Sequence, residues 1–152
     1  MKVKKMDHFS IAVKSIEAAR KIWEPLLGKT GPDDLYADEP EKIRVARYWL
    51  DGVGFELMES TTPDGPVAAW IEKNGEGIML ISFNVENTRE AVRELESEDY
   101  PFIPNPAPLP GELTGKARSF RESEFAFLHP KKMNGVLVEL IDYTWKEPDQ
   151  VA

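Results

Sequence analysis

A faint internal repeat constrains this chain more than any other feature, because a duplicated unit dictates the architecture. His8-Phe9-Ser10-Ile11-Ala12-Val13 reads against Leu80-Ile81-Ser82-Phe83-Asn84-Val85. Both segments alternate with period two, as strands with one face in a core do. Phe9, Ile11 and Val13 on one face answer to Ile81, Phe83 and Val85. On the other face His8, Ser10 and Ala12 answer to Leu80, Ser82 and Asn84. Large apolar groups fall on one side and small or polar ones on the other, which reads as the lining of a cavity.

A helix signal follows each of these strands. Ser15 can cap a helix through Glu24, with Ile16, Ala19, Ile22 and Trp23 as its apolar stripe. Pro25 is expected to end or kink it, because the ring clashes with the carbonyl four residues back. Asn87 with Glu90 forms a capping box for a second helix, whose inner residues are Ala91, Val92 and Leu95. Strands are expected at Ile43–Leu50 and Phe55–Glu59, and again at Phe120–Leu128 and Val136–Tyr143. Shorter strands are expected near Leu35–Tyr36 and Phe102–Ile103. Pro66 opens a connecting helix over 66–73 that packs through Trp70 and Ile71. The pattern is an α+β domain of two βαβββ modules, about 5–60 and 78–145, joined by that helix.

Each module ends on a glutamate within an apolar strand: Phe55-Glu56-Leu57 and Val138-Glu139-Leu140. Val136–Ile141 is apolar on both faces except at Glu139, so this carboxylate is expected in poor solvent. There it must meet a cation, bind a metal or hold its proton. An ion pair with a lysine or arginine explains it equally well.

Composition narrows the function. The chain has 152 residues and no cysteine, which excludes a disulfide scaffold, thiolate metal sites and thiol catalysis. Its net charge of −8 argues against general nucleic-acid or membrane-surface binding. Neither a signal-like apolar run nor a membrane-spanning stretch is present, so a cytoplasmic location is expected. Between Lys116 and Lys132 the balance reverses: Lys116, Arg118, Arg121, Lys131 and Lys132 face only Glu122 and Glu124. Such a patch suits phosphates. His129, in the same turn as Lys131, contacts either ligand or backbone. Arg44 and Arg47 lie three apart on one strand, so only one can point inward; Arg44, sharing a face with Ala46 and Tyr48, is the expected one. The segment 104–115 carries prolines at 104, 106, 108 and 110 and should be stiff: a lid, a cover for an apolar patch or a dimer contact.

Taken together, Asp7-His8-Phe9-Ser10-Ile11-Ala12-Val13, Phe55-Glu56-Leu57-Met58, Gly65-Pro66, Trp70 to Ile78, Phe127-Leu128-His129-Pro130-Lys131 and Gly135 to Leu140 resemble the vicinal-oxygen-chelate superfamily. This is the glyoxalase/bleomycin-resistance/dioxygenase group, and the likeness is greatest to its methylmalonyl-CoA epimerase branch. The resemblance implies one curved mixed sheet around a central cleft holding a divalent metal (Co, Mn, Mg or Zn). It further implies a small acyl-CoA or carboxylate substrate, and homodimerisation, at which Trp49 and Trp145 hint. Carried over, His8, Glu56 and Glu139 are metal ligands, while Leu80 stands where the family has a second histidine. Three ligands can still hold such an ion with water completing its shell. The implied chemistry is epimerisation by α-proton transfer, with Glu139 and Glu56 as the acid/base pair and Lys131, His129 and Arg44 binding the ligand. Leu80 leaves open a non-catalytic small-molecule-binding protein of the same fold. Lactoylglutathione lyase activity is a more distant alternative. An extradiol dioxygenase would need two histidine ligands and a carboxylate, whereas this chain has only His8 and His129, and His129 lies on the HPK turn and not at a ligand position.

Overall fold

The computed structural model describes residues 1–143 as three α-helices and an eight-stranded mixed sheet, an α+β fold. The chain divides into two compact units. One is Phe9–Met79; the other combines Met1–His8 with the chain from Leu80 onward. The first eight residues thus group with the second half of the sequence, a division not anticipated by the module boundaries. The expected second module extends to 145, and its last two residues, with Trp145, lie outside the described residues.

The Phe9–Met79 unit takes the end of strand β1 (Val3–Ala12) and adds helix α1 (Ile16–Leu27), strands β2 (Asp34–Asp38), β3 (Ile43–Leu50) and β4 (Val53–Ser60), and helix α2 (Pro66–Asn74). Its strands run β2-β3-β4-β1. Asp51 and Gly52, with φ of 49° and 86°, make the two-residue turn that pairs Leu50 with Val53. That left-handed pair matches the twist of a hairpin. Ser15 accepts the Ala18 N–H at 3.2 Å and starts α1 as expected. Pro25 does not end the helix. It sits in the last turn, and the chain continues to Leu27 before Gly28, at φ 70°, closes it with the Lys29 N–H on the Glu24 carbonyl at 2.9 Å.

Ile16 and Ala19 are buried, with Trp23 and Leu27 packed behind them; Ile22 is 68% exposed and falls off the stripe. The helix buries positions spaced three, four and four apart, which leaves the neighbour of Trp23 on the outer face. These residues join Ile11, Val13, Ala46, Tyr48, Phe55 and Leu57 in one core. In α2 the fully buried residue is Val67, while Trp70 and Ile71 are half-buried.

The other unit takes the start of β1 and adds β5 (Gly77–Val85, from Leu80), α3 (Thr88–Glu96), β6 (Arg118–Phe120), β7 (Ser123–Leu128) and β8 (Leu137–Tyr143). The order is β1-β5-β8-β7-β6, with β5 and β8 parallel and β7 antiparallel to its neighbours. Asn87 accepts the Glu90 N–H at 3.0 Å, and Ala91, Val92 and Leu95 enter a core with Val85, Phe102, Leu128, Val138 and Leu140.

Two expectations fail in this unit. Phe120–Leu128 is not one strand but a hairpin of β6 and β7, turned at Arg121 with φ 54°. Phe102–Ile103 makes only an isolated bridge, Phe102 to Leu128. The prolines that follow lack the N–H groups a strand ladder requires. The proline-rich segment is nevertheless fastened. Asn105 donates its N–H to the Gly115 carbonyl at 2.7 Å and its side-chain amide to the Ala117 carbonyl at 2.8 Å. The Arg118 guanidinium reaches the Pro104 carbonyl at 2.9 Å.

Candidate functional site

Within each unit, the last-strand glutamate and a serine of the repeated strand form the same contact. In the Phe9–Met79 unit the Ser10 hydroxyl donates to Glu56 Oε1 at 2.9 Å. In the other unit the Ser82 hydroxyl donates to Glu139 Oε1 at 2.6 Å. Both serines are fully buried, and Glu56 and Glu139 are 3% and 7% exposed. The repeat read in the sequence is therefore a repeat of side-chain chemistry, and each carboxylate sits where charge needs a partner.

The two units then differ. Glu56 pairs directly across the β3–β4 ladder with Arg47, whose Nε lies 3.1 Å from Glu56 Oε2. The Arg47 guanidinium also stacks 4.3 Å from the centre of the Trp49 ring. Arg47, 8% exposed, is thus the buried arginine of this strand. Arg44, expected to point inward, has a 41% exposed side chain and pairs with Glu59 at 3.3 Å. The ladder decides this, since Arg47 faces Glu56 and Arg44 faces Glu59.

Glu139 is met by an imidazole. His8 Nε2 lies 3.2 Å from Glu139 Oε1, and His8 Nδ1 lies 2.6 Å from Asp7 Oδ2. Asp7 in turn accepts from the Tyr143 hydroxyl at 2.8 Å and the Asn84 amide at 3.2 Å. The result is a chain of polar contacts that runs from the half-buried Tyr143 through the buried Asp7, His8, Glu139 and Ser82. Of the expected site residues, this chain of contacts contains His8 and Glu139. Asp7, Asn84, Tyr143, Ser10, Ser82 and Arg47 were not singled out as site residues. Ser10 and Ser82 could have been, as polar residues at one repeat position, whereas Asp7 and Tyr143 are 136 positions apart and meet only through the fold.

The remaining ligand-binding candidates lie apart from this chain. His129 is exposed; its ring accepts the Lys131 N–H at 3.1 Å and caps the single 3-10 turn Pro130–Lys132, so it serves the turn. Lys131 is exposed on that turn. Lys116 is engaged by Glu96 at 2.8 Å. A surface concavity of about 360 Å³ lies in the Phe9–Met79 unit between Val13, Lys14, Thr62, Pro63, Ala68 and Ile71, and contains none of the expected site residues.

The donor set fits a divalent metal poorly. Leu80, 4% exposed, offers no donor where a second imidazole would stand. Glu56 has a guanidinium as its partner, and among the described residues no group of three or more His, Cys, Asp or Glu side chains is placed to hold an ion. Nor, among the described residues, is any helix long and apolar enough to cross a membrane.

Comparison with known proteins agrees with the architecture. Residues 7–116 match the Glyoxalase/Bleomycin resistance protein/Dioxygenase superfamily. The uncharacterized protein YqjC of Bacillus subtilis is 34% identical over 138 residues, covering 91% of both chains. An ethylmalonyl-CoA/methylmalonyl-CoA epimerase of Cereibacter sphaeroides is 32% identical over 139 residues, covering 90% of this chain and 96% of that protein. A methylmalonyl-CoA epimerase solved in complex with methylmalonyl-CoA and NH4+ superposes with a TM-score of 0.78 at 25% identity, covering 94% of this chain and 96% of the other. The repeat, the glutamate within the last strand of each unit and these matches agree: the chain belongs to the glyoxalase/bleomycin resistance protein/dioxygenase superfamily.

Proposed function

We propose that this protein is an isomerase of acyl-CoA thioesters that moves the proton α to the thioester carbonyl, with a 2-alkylmalonyl-CoA as substrate. The observation that carries this reading is Glu139, a buried carboxylate held by Ser82 and His8 in a chain whose relatives include CoA-thioester epimerases. An α-proton needs a positioned base to leave, and a carboxylate fixed by two neighbours keeps its geometry through the transfer. In this reading Glu139 takes the proton. His8, backed by Asp7 and Tyr143, holds the carboxylate in place. Epimerisation needs a second acid/base group to return a proton on the other face, and Glu56 is the residue the internal repeat nominates. No step is assigned to a metal, because the donor set does not support one.

The test is solvent exchange. Methylmalonyl-CoA in deuterated buffer should lose its α-proton signal in the presence of the protein, and Glu139→Gln should slow that loss by about 100-fold or more. Absence of exchange at high protein concentration, with and without added Co²⁺ or Mn²⁺, would refute the substrate assignment. A non-catalytic binding protein is the second reading, favoured by Leu80 and by the engagement of Glu56 with Arg47. It predicts that acyl-CoA raises the melting temperature without any exchange.

A further inference from the structure

We infer that this chain dispenses with the divalent cation its family resemblance implies, and meets both repeated glutamates with its own side chains. In the Phe9–Met79 unit, Glu56 has Ser10 on Oε1 at 2.9 Å and Arg47 by Oε2 at 3.1 Å. Arg47 is itself held by its stack on Trp49. A guanidinium cannot lose its charge in a protein, so it supplies the positive partner permanently and repels a dication from the same carboxylate.

In the other unit, His8 Nε2 and Glu139 Oε1 are 3.2 Å apart. A direct hydrogen bond and two neighbouring ligands at about 2.1 Å from an ion share that spacing, so the rest of the shell decides between them. Ser82 already donates to Glu139, and Leu80, buried two residues earlier on the same face of β5, brings no donor to that face. An ion there would find His8 and Glu139 as its donors in this unit. Hard divalent ions take four to six ligands and lose affinity steeply when the protein provides so few. Leu80 and Arg47 therefore act in the same direction: one offers no ligand, and the other gives Glu56 a fixed positive partner.

The experiment needs no substrate, so its outcome is independent of the proposed reaction. Untagged wild-type protein is assayed for metals by elemental analysis. It is then treated with EDTA and titrated with Mn²⁺, Co²⁺ and Zn²⁺ by calorimetry and thermal unfolding, beside Leu80→His. The wild type should carry less than about 0.1 equivalent of any ion, and about 1 mM metal should shift its melting temperature by less than about 1 °C. Leu80→His should take up close to one equivalent. A stoichiometric ion on the wild type, or an unfolding temperature that falls with EDTA and recovers with metal, overturns the inference. A folded Leu80→His that takes up none overturns the part assigned to Leu80. The wild-type titration decides the rest even if that variant does not fold.

Discussion

Replacing Arg47 by methionine tests whether Glu56 is held by its cross-strand arginine. The two side chains are 10% and 4% exposed and meet at 3.1 Å on directly paired residues of β3 and β4. Removing one member of a buried ion pair costs about 3–5 kcal/mol, because the other is left charged in poor solvent. Ser10 still donates to Glu56, which favours the lower half of that range. Loss of the stack on Trp49 adds roughly 0.5–1 kcal/mol. Arg47→Met should therefore destabilise by about 3.5–5 kcal/mol, a fall in melting temperature of roughly 7–20 °C for a chain of this size. Arg47→Met combined with Glu56→Leu removes both charges and should return to within about 1 kcal/mol of the wild type. Urea unfolding at pH 7, followed by circular dichroism, measures all four corners of the cycle. A single variant costing under about 1 kcal/mol, or a double variant showing no coupling, would refute the pairing as the reason Glu56 is tolerated.

Other consequences lie outside the site. The Tyr48 hydroxyl donates to Glu24 at 2.6 Å, and Arg20 reaches the same oxygen at 2.7 Å. Hydrogen bonds from Arg20 and then Tyr48 hold the Glu24 carboxyl below its usual range, so its contribution to stability is full above about pH 4.5 and is lost as pH falls through the lowered value. Burial, then the bond to Glu24, raises the Tyr48 phenol; that contribution is full below about pH 10 and is lost as pH rises through the raised value. Tyr48→Phe should cost about 1.5–2 kcal/mol at pH 7 and less below about pH 4; a cost that grows in acid would contradict this. In the proline-rich segment, burial raises the Glu112 carboxyl, but hydrogen bonds from Thr114, Gly115 and Lys116 outweigh it and leave it lowered. Glu112→Gln should speed proteolysis of 104–115 at neutral pH, with a difference that narrows as acid protonates the wild-type side chain; equal cleavage rates would show that the prolines alone set the loop.

Much of the architecture was legible because local rules and long-range packing agree. The period-two strands, the Ser15 and Asn87 caps and the Pro66 helix start needed no tertiary information. Pro25 misled because a proline in the last turn leaves few intrahelical bonds to break, and Gly28 then closes the end. The 120–128 segment misled because a two-residue turn at Arg121 interrupts a run whose composition is continuous.

For the candidate site, the sequence by itself determined which positions carry donors. A strand duplicated around His8 and Leu80, each module ending on a glutamate in an apolar run, already nominates Glu56 and Glu139 as buried carboxylates. The family resemblance adds that Leu80 stands where a second imidazole is expected. Only the tertiary structure decided what neutralises them. Alternation along β3 only put Arg44 and Arg47 on opposite faces and pointed to Arg44, and it is the register with β4 that sets Arg47 opposite Glu56. Likewise Tyr143 and Asp7 lie at opposite ends of the sequence, and pairing among β1, β5 and β8 brings them within 2.8 Å behind His8. Pattern reports which face a residue is on; which charge it meets depends on strand order and register, which no local signal encodes.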